Sequence, residues 1–224
     1  MALGPRLAAR SGRSSSYRWL AASLGGLIQQ LAVCYIGRGY WFYVTGVIPE
    51  RKDPLAVDEK LLDRYGIGIS KFARARRKQA GWANMQYIRR DRFFVLLATP
   101  GKHRFFEDEA GQIRDARRVP LKHEGYSIGY RGGHPHVRIE QKEYKALKAY
   151  FEQIAARRSA QVLADEFGHL TYEPYAPVRR QLLVMLRAVN RMRASAGLEL
   201  VPQSCLRLKR RIFPAFASQD ESSD

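Results

Sequence analysis

The sequence predicts an α+β fold: a mostly antiparallel, ferredoxin-like sheet with helices on one face, followed by a helical C-terminal region. Three observations carry this. Short stretches of β-branched and aromatic residues recur between positions 38 and 140. Strands there outnumber the helical stretches that would serve as crossovers, so neighbouring strands run antiparallel. Beyond position 140 the apolar spacing becomes that of helices and stays so. A chain of 224 residues fits one domain with extensions. The boundaries read as a basic arm and amphipathic helix over 1–37, an α+β core over 38–140, a helical region over 141–204, and a basic arm with an acidic tail over 205–224.

The first 17 residues hold Arg6, Arg10 and Arg13 with several serines, and no acid precedes Glu50. Such a start reads as a flexible basic tail and leaves organelle targeting open. The run "WLAASLGGLIQQLAVCYI" is interrupted by Gln29 and Gln30 and weakened by Gly25 and Gly26, so it reads as an amphipathic helix rather than a membrane span. In "RGYWFYVT" both faces are apolar: Tyr40, Phe42 and Val44 on one, Trp41 and Tyr43 on the other. That pattern predicts a central, buried strand, with Arg38 and Tyr40 at its exposed start. Asp53 caps a helix beginning at Pro54 and ending near Gly66. Ser70 caps a second helix, "KFARARRKQA", closed by Gly81, with Phe72 and Ala75 expected toward the core.

Two strands follow in "WANMQYIRRDRFFVLLAT", joined by a turn at Arg89–Arg92. Residues 100–124 are polar and irregular. "GYSIGY" and "HPHVRIE" form a hairpin about Gly132 and Gly133. Tyr144, Leu147, Phe151 and Ile154 align on one helix face. Ser159 caps the next helix, and a long one runs from Pro177 to Ala196 with a core stripe from Val178 to Met192.

Charge is the strongest functional signal. Thirty-nine Lys and Arg face 21 Asp and Glu, a formal net charge of +18. Such an excess attracts polyanions, and binding that releases counterions weakens steeply with salt. Nucleic acid is therefore the expected partner and a membrane is not. Lys71, Arg74, Arg77 and Lys78 form a nearly continuous cationic row on the short helix, and Arg89, Arg90 and Arg92 follow at the turn. Arg207, Lys209, Arg210 and Arg211 form a second basic segment. The acidic clusters, Asp53 to Asp63 and Glu107 to Glu109, read as solvated charge. No zinc-finger or helix-turn-helix pattern is present, which favours structured RNA or single-stranded or branched DNA over sequence-specific duplex reading. Such a chain fits a ribonucleoprotein or a mobile element. Cys34 and Cys205 have no neighbours at ligand spacing. A reducing, cytoplasmic setting is expected, with one long-range disulfide left open. No cofactor is expected from the residues themselves.

The pair His134 and His136 in "HPH" points to one side of an extended segment. It resembles the histidine–hydrophobe–histidine element of HUH endonucleases, the rolling-circle initiators and single-tyrosine transposases. The resemblance implies a ferredoxin-like core, a divalent metal (Mg or Mn) on His134 and His136, and Tyr144 or Tyr150 as the nucleophile on a DNA phosphodiester. Pro135 and the adjoining Gly-Gly turn depart from the family pattern. If "DRFFVLLA" is instead the equivalent central strand, both ligands are missing and the chain resembles a non-catalytic relative. "RGYWFYV" also partly resembles the RNP1 motif of RNA recognition motifs, through Arg38, Gly39, Tyr40 and Phe42, though Trp41 and Tyr43 depart from it.

Overall fold

The computed structural model describes residues 17–217. The N-terminal basic tail, apart from Tyr17, and the acidic tail lie outside the described residues. The first helix, α1 (Leu24–Gln29), is capped by the Ser23 hydroxyl, which accepts from the Gly26 amide. It runs on into a π-helical segment, Gln30–Tyr35, and a 3-10 turn, Ile36–Arg38. This stretch keeps Gln29, Gln30 and Val33 on its outer side and turns its apolar side inward. Leu27, Ile28, Leu31, Ala32 and Ile36 are fully buried and belong to the largest hydrophobic cluster.

Strands β1 (Phe42–Val47), β2 (Met85–Arg90), β3 (Phe93–Ala98) and the two-residue β4 (Arg114–Asp115) form one sheet in the order β2-β3-β1-β4. Every neighbouring pair is antiparallel. Two helices, α2 (Pro54–Tyr65) and α3 (Lys71–Gln79), lie between β1 and β2 in sequence, and the short α4 (Phe105–Asp108) lies between β3 and β4. This split βαβ arrangement is the ferredoxin-like topology expected from the sequence, confined to residues 42–115. The same sheet does not continue to position 140. Strands β5 (Leu121–His123), β6 (Tyr126–Arg131) and β7 (His134–Ile139) form a separate three-stranded sheet.

The caps read from the sequence are in place because they are local. The Asp53 carboxylate accepts from Leu55 and Ala56 amides at 3.2 and 3.1 Å, with Pro54 in the first turn and Gly66 left-handed at the end (φ 55°). Ser70 and Ser159 accept from Ala73 and Val162 amides. Gly132 and Gly133 both have positive φ, 58° and 81°, as a two-residue hairpin loop of this twist requires.

Tyr65, Ile67 and Phe105, from α2, the loop after it and α4, pack with Val44, Tyr87 and Leu96 on one face of the four-stranded sheet. The opposite face, through Tyr43, Ile88, Val95 and Leu97, meets the N-terminal helix and the second sheet. The central position of β1 follows: an interior strand between two cores needs apolar side chains on both sides. Tyr40 is buried too, and its hydroxyl accepts from the Gln86 amide at 3.2 Å. It is therefore not an exposed stacking residue.

The helical region comprises α5 (Gln141–Ile154), α6 (Ala160–Gly168) and α7 (Ala176–Ser195), which share a cluster built on Phe151, Phe167, Leu182 and Val189. Residues 205–217 are not a free arm. They run back to the first helix, where Ala217 donates to the Leu20 carbonyl at 3.0 Å and Phe216 packs on the main cluster. Cys34 and Cys205 are both free thiols. No helix among the described residues is long and apolar enough to cross a membrane.

Candidate functional site

A cavity of about 630 Å³ lies between the N-terminal helix, the loop before α3, and the C-terminal segment. Arg18, Arg38, Lys71 and Arg74 line it, together with the amides of Gln30 and Gln86 and the hydroxyl of Ser70. No Asp or Glu is in its walls. Four chain segments supply these groups. The π-helical stretch and the 3-10 turn after it set one wall, since Gln30, Cys34 and Arg38 follow one another every fourth residue. Such widened turns are frequent at functional sites. The capping of α3 by Ser70 sets the opposite wall: it fixes the first turn so that Lys71 and Arg74, one turn apart, face the cavity.

The floor is a hydrogen-bonded network. Tyr17 accepts from the Tyr87 amide at 2.8 Å, and its hydroxyl lies 2.9 Å from Gln86 Oε1. Burial raises the Tyr17 hydroxyl well above the ordinary tyrosine range and pushes the Tyr35 hydroxyl up to about 12. Both phenols stay neutral at physiological pH, so the cavity keeps its positive potential. Arg18 leans over the Phe216 ring at 5.2 Å. Arg38, Lys71 and Arg74 make no ion pair with any described residue. Three sequence-predicted phosphate contacts thus converge on one enclosure, although Arg38 lies over thirty positions before the other two.

The remaining predicted contacts divide. Lys78, Lys209 and Arg211 are exposed but lie outside the cavity. Arg77 donates to the Gly66 carbonyl at 3.4 Å and ties α3 to the end of α2. Arg210 reaches the Gln29 side chain at 3.2 Å and covers the Tyr175 ring at 4.9 Å. Arg90 forms an ion pair with Glu124. Arg92 is bound to loop carbonyls, the closest being Pro49 O at 2.8 Å, so it fastens the segment between β1 and α2.

Two candidates are tied into ion pairs, one of them buried. Arg89 is 5% exposed and lies within β2 rather than at the turn. Its guanidinium is bidentate to Asp58, which is itself fully buried, at 2.8 and 2.8–3.0 Å. Asp58 also accepts from Trp19 Nε1 at 2.7 Å and from the Tyr87 hydroxyl. It is the anchor of a core network, not a solvated charge. Arg207 pairs with Glu173 at 2.6 Å, and Glu173 is 5% exposed. Arg89 is thus a core residue, whereas Arg207 is half-buried against Glu173. Phe72 and Ala75, expected toward the core, face outward, and Phe72 is 81% exposed.

The His134 and His136 side chains share a face of β7, as an extended segment dictates. β7 is an edge strand, which explains how Pro135 is tolerated. His136 and Tyr144 line a second cavity, and His134 does not. Burial, followed by Arg138 and Arg131, holds His136 below the usual histidine range. The same arginines oppose a divalent cation. Burial raises the Tyr144 phenol, so it resists becoming a nucleophilic phenolate. Tyr150 donates to Glu166 at 2.6 Å, which raises it as well, and it is not among the residues lining the cavity of His136 and Tyr144. No group of three or more potential metal ligands occurs among the described residues.

Arg18 and the amides of Gln30 and Gln86 were not legible as site residues. A single arginine, one glutamine in an apolar run and another in a strand carry no pattern of their own; only the fold places them opposite α3. No family model matches this sequence, and no curated protein matches it.

Proposed function

We propose that the chain binds nucleic acid, either structured RNA or single-stranded or branched DNA, through the cavity walled by Arg18, Arg38, Lys71 and Arg74. The observation that supports this most is their convergence without a carboxylate in the walls. Four cations held together repel one another, and an anion that threads between them relieves that repulsion. Arginine forks suit paired phosphate oxygens, and the Gln30 amide and Ser70 hydroxyl beside them suit sugar and base edges. The exposed Phe72, next to Lys71 on α3, offers a ring for a base to stack on.

The test is the salt dependence of affinity for a labelled single-stranded oligonucleotide. Replacing Arg38, Lys71 and Arg74 together by Gln removes three phosphate contacts. The slope of log affinity against log salt then falls by about 2, from about 0.7 per phosphate contact on single strands. An unchanged slope rejects this cavity as the binding site.

One observation favours a nuclease of the HUH type instead: His136 and Tyr144 share a cavity. Incubation of labelled single-stranded DNA with manganese decides the matter. A covalent protein–DNA adduct that disappears in Tyr144→Phe would establish the enzymatic reading.

A further inference from the structure

The second cavity, of about 500 Å³, opens between the β6–β7 hairpin, the start of α5 and the first turns of α7. Its walls carry Arg131, Arg138 and Arg180, and again no carboxylate. The hairpin register explains the first two. Arg131 pairs with His134, Gly129 with His136 and Ser127 with Arg138, so the two arginines share one face. On the other face Ile128 pairs with Val137, and both enter the main core. Arg180 comes from α7, one turn beyond Ala176, and projects into the same space. None of the three guanidiniums makes an ion pair or a side-chain hydrogen bond with a described residue. Gln181, beside them, is occupied: it bridges the amide and carbonyl of Ile139 at 2.8 and 3.1 Å and pins β7 to α7.

Three unpaired guanidiniums around one enclosure call for more than one negative charge. A phosphodiester within a strand carries a single charge. A terminal phosphomonoester carries about −1.5 to −2 near neutral pH and presents three acceptor oxygens. The volume lies within the range of about 300–1,000 Å³ that admits a nucleotide-sized ligand. The half-exposed ring of Tyr144, with Pro177 and Val184, gives one apolar wall against which a sugar or base rests.

We infer that this cavity receives the phosphorylated end of a nucleic-acid strand, a terminal phosphomonoester held by Arg131, Arg138 and Arg180. The strand as the source of the phosphate rests on the function proposed above; the preference for a phosphomonoester does not. Either the 5′ or the 3′ end supplies the same group, and the test separates them.

Full-length protein is titrated with one oligonucleotide sequence in three forms: 5′-phosphorylated, 3′-phosphorylated, and with hydroxyl groups at both ends. In parallel, calorimetry compares adenosine 5′- and 3′-monophosphate with adenosine. One phosphorylated form is expected to bind at least about tenfold tighter than the hydroxyl form, the worth of one charge-assisted hydrogen bond. The matching mononucleotide binds where adenosine does not. Arg131→Gln and Arg180→Gln, both at exposed positions, each remove the preference and leave the hydroxyl-ended affinity unchanged. Equal binding of the three oligonucleotides, or a preference that survives both substitutions, overturns the inference. If no oligonucleotide binds at all, the nucleic-acid reading falls, and the mononucleotides still decide this site. Monophosphate binding lost in Arg180→Gln sustains a phosphomonoester site; no difference between monophosphate and adenosine overturns it.

Discussion

Asp58 shows how far a residue's neighbours depart from what its own stretch of chain suggests. In sequence it sits among charged positions of a capped helix. In the fold its two oxygens receive Trp19, Tyr87 and Arg89, all of them distant along the chain. A fully buried carboxylate is tolerated only because each of these donors is present. Removing one partner leaves the other charge stranded. Asp58→Ala is therefore expected to destabilise the protein by about 3–5 kcal/mol, read as a lowered urea midpoint. Because the pair gains little over well-packed apolar side chains, a combined Asp58→Leu and Arg89→Met variant should recover part of that loss, the rest being the cost of leaving Trp19 Nε1 and the Tyr87 hydroxyl without their acceptor. If Asp58→Ala alone lowers the unfolding free energy by less than about 1 kcal/mol, the network is not the anchor described. The Tyr87 hydroxyl, raised by burial and by its bond to Asp58, is held as the neutral donor the carboxylate needs.

At the scale of elements, α3 carries the sharpest contrast between what stabilises and what binds. It has no buried residue, and its ring at position 72 points into solvent. Phe72→Ala should leave the unfolding free energy within about 0.5 kcal/mol of wild type, as for other exposed positions. If the ring receives a base, the same change weakens single-strand affinity by about 1–3 kcal/mol. Loss of stability without loss of affinity would reverse the assignment of this face. The misplacement of Phe72 has a simple cause: besides two alanines it is the one apolar residue of α3, so the helix has no apolar stripe to define a face. Where the information is local, the sequence was readable. Asp53, Ser70, Ser159 and Gly66 mark helix ends because a cap needs only its own next few amides. The two-sided apolar pattern of β1 likewise announced an interior strand. What was hidden required pairing across the fold. Nothing near Arg89 tells that its partner lies on α2, and nothing near Arg38 tells that Lys71 and Arg74 stand opposite. The cationic residues were visible as a set; which of them are free was not.

The whole molecule is fastened by the return of its C-terminal segment to the first helix. The contact leaves no room for side chains on two helix positions. A Cβ at Gly25 would stand 2.7 Å from the Phe213 ring, and one at Gly26 would stand 2.6 Å from the Pro214 carbonyl. Gly26→Ala raises helix propensity by about 1 kcal/mol, yet here it should loosen the segment by displacing fixed backbone. The expected outcome is faster tryptic cleavage at Lys209, Arg210 and Arg211 with the remaining core still resistant. Unchanged cleavage would mean the strap gives way at no cost. The first helix has a further consequence, for the way the chain is made. Leu27, Ile28 and Leu31 leave the ribosome early, whereas Tyr126, Ile128 and Val137, which cover them, come roughly a hundred residues later. At about 5–20 residues per second that gap is roughly 5–20 seconds. Until it closes, the second sheet's cover is missing from the most apolar stripe, next to one of the chain's most basic regions, and only the four-stranded sheet can shield it. The centre of the finished protein is thus the part most exposed to aggregation, or to capture by chaperones, while the rest is being synthesised.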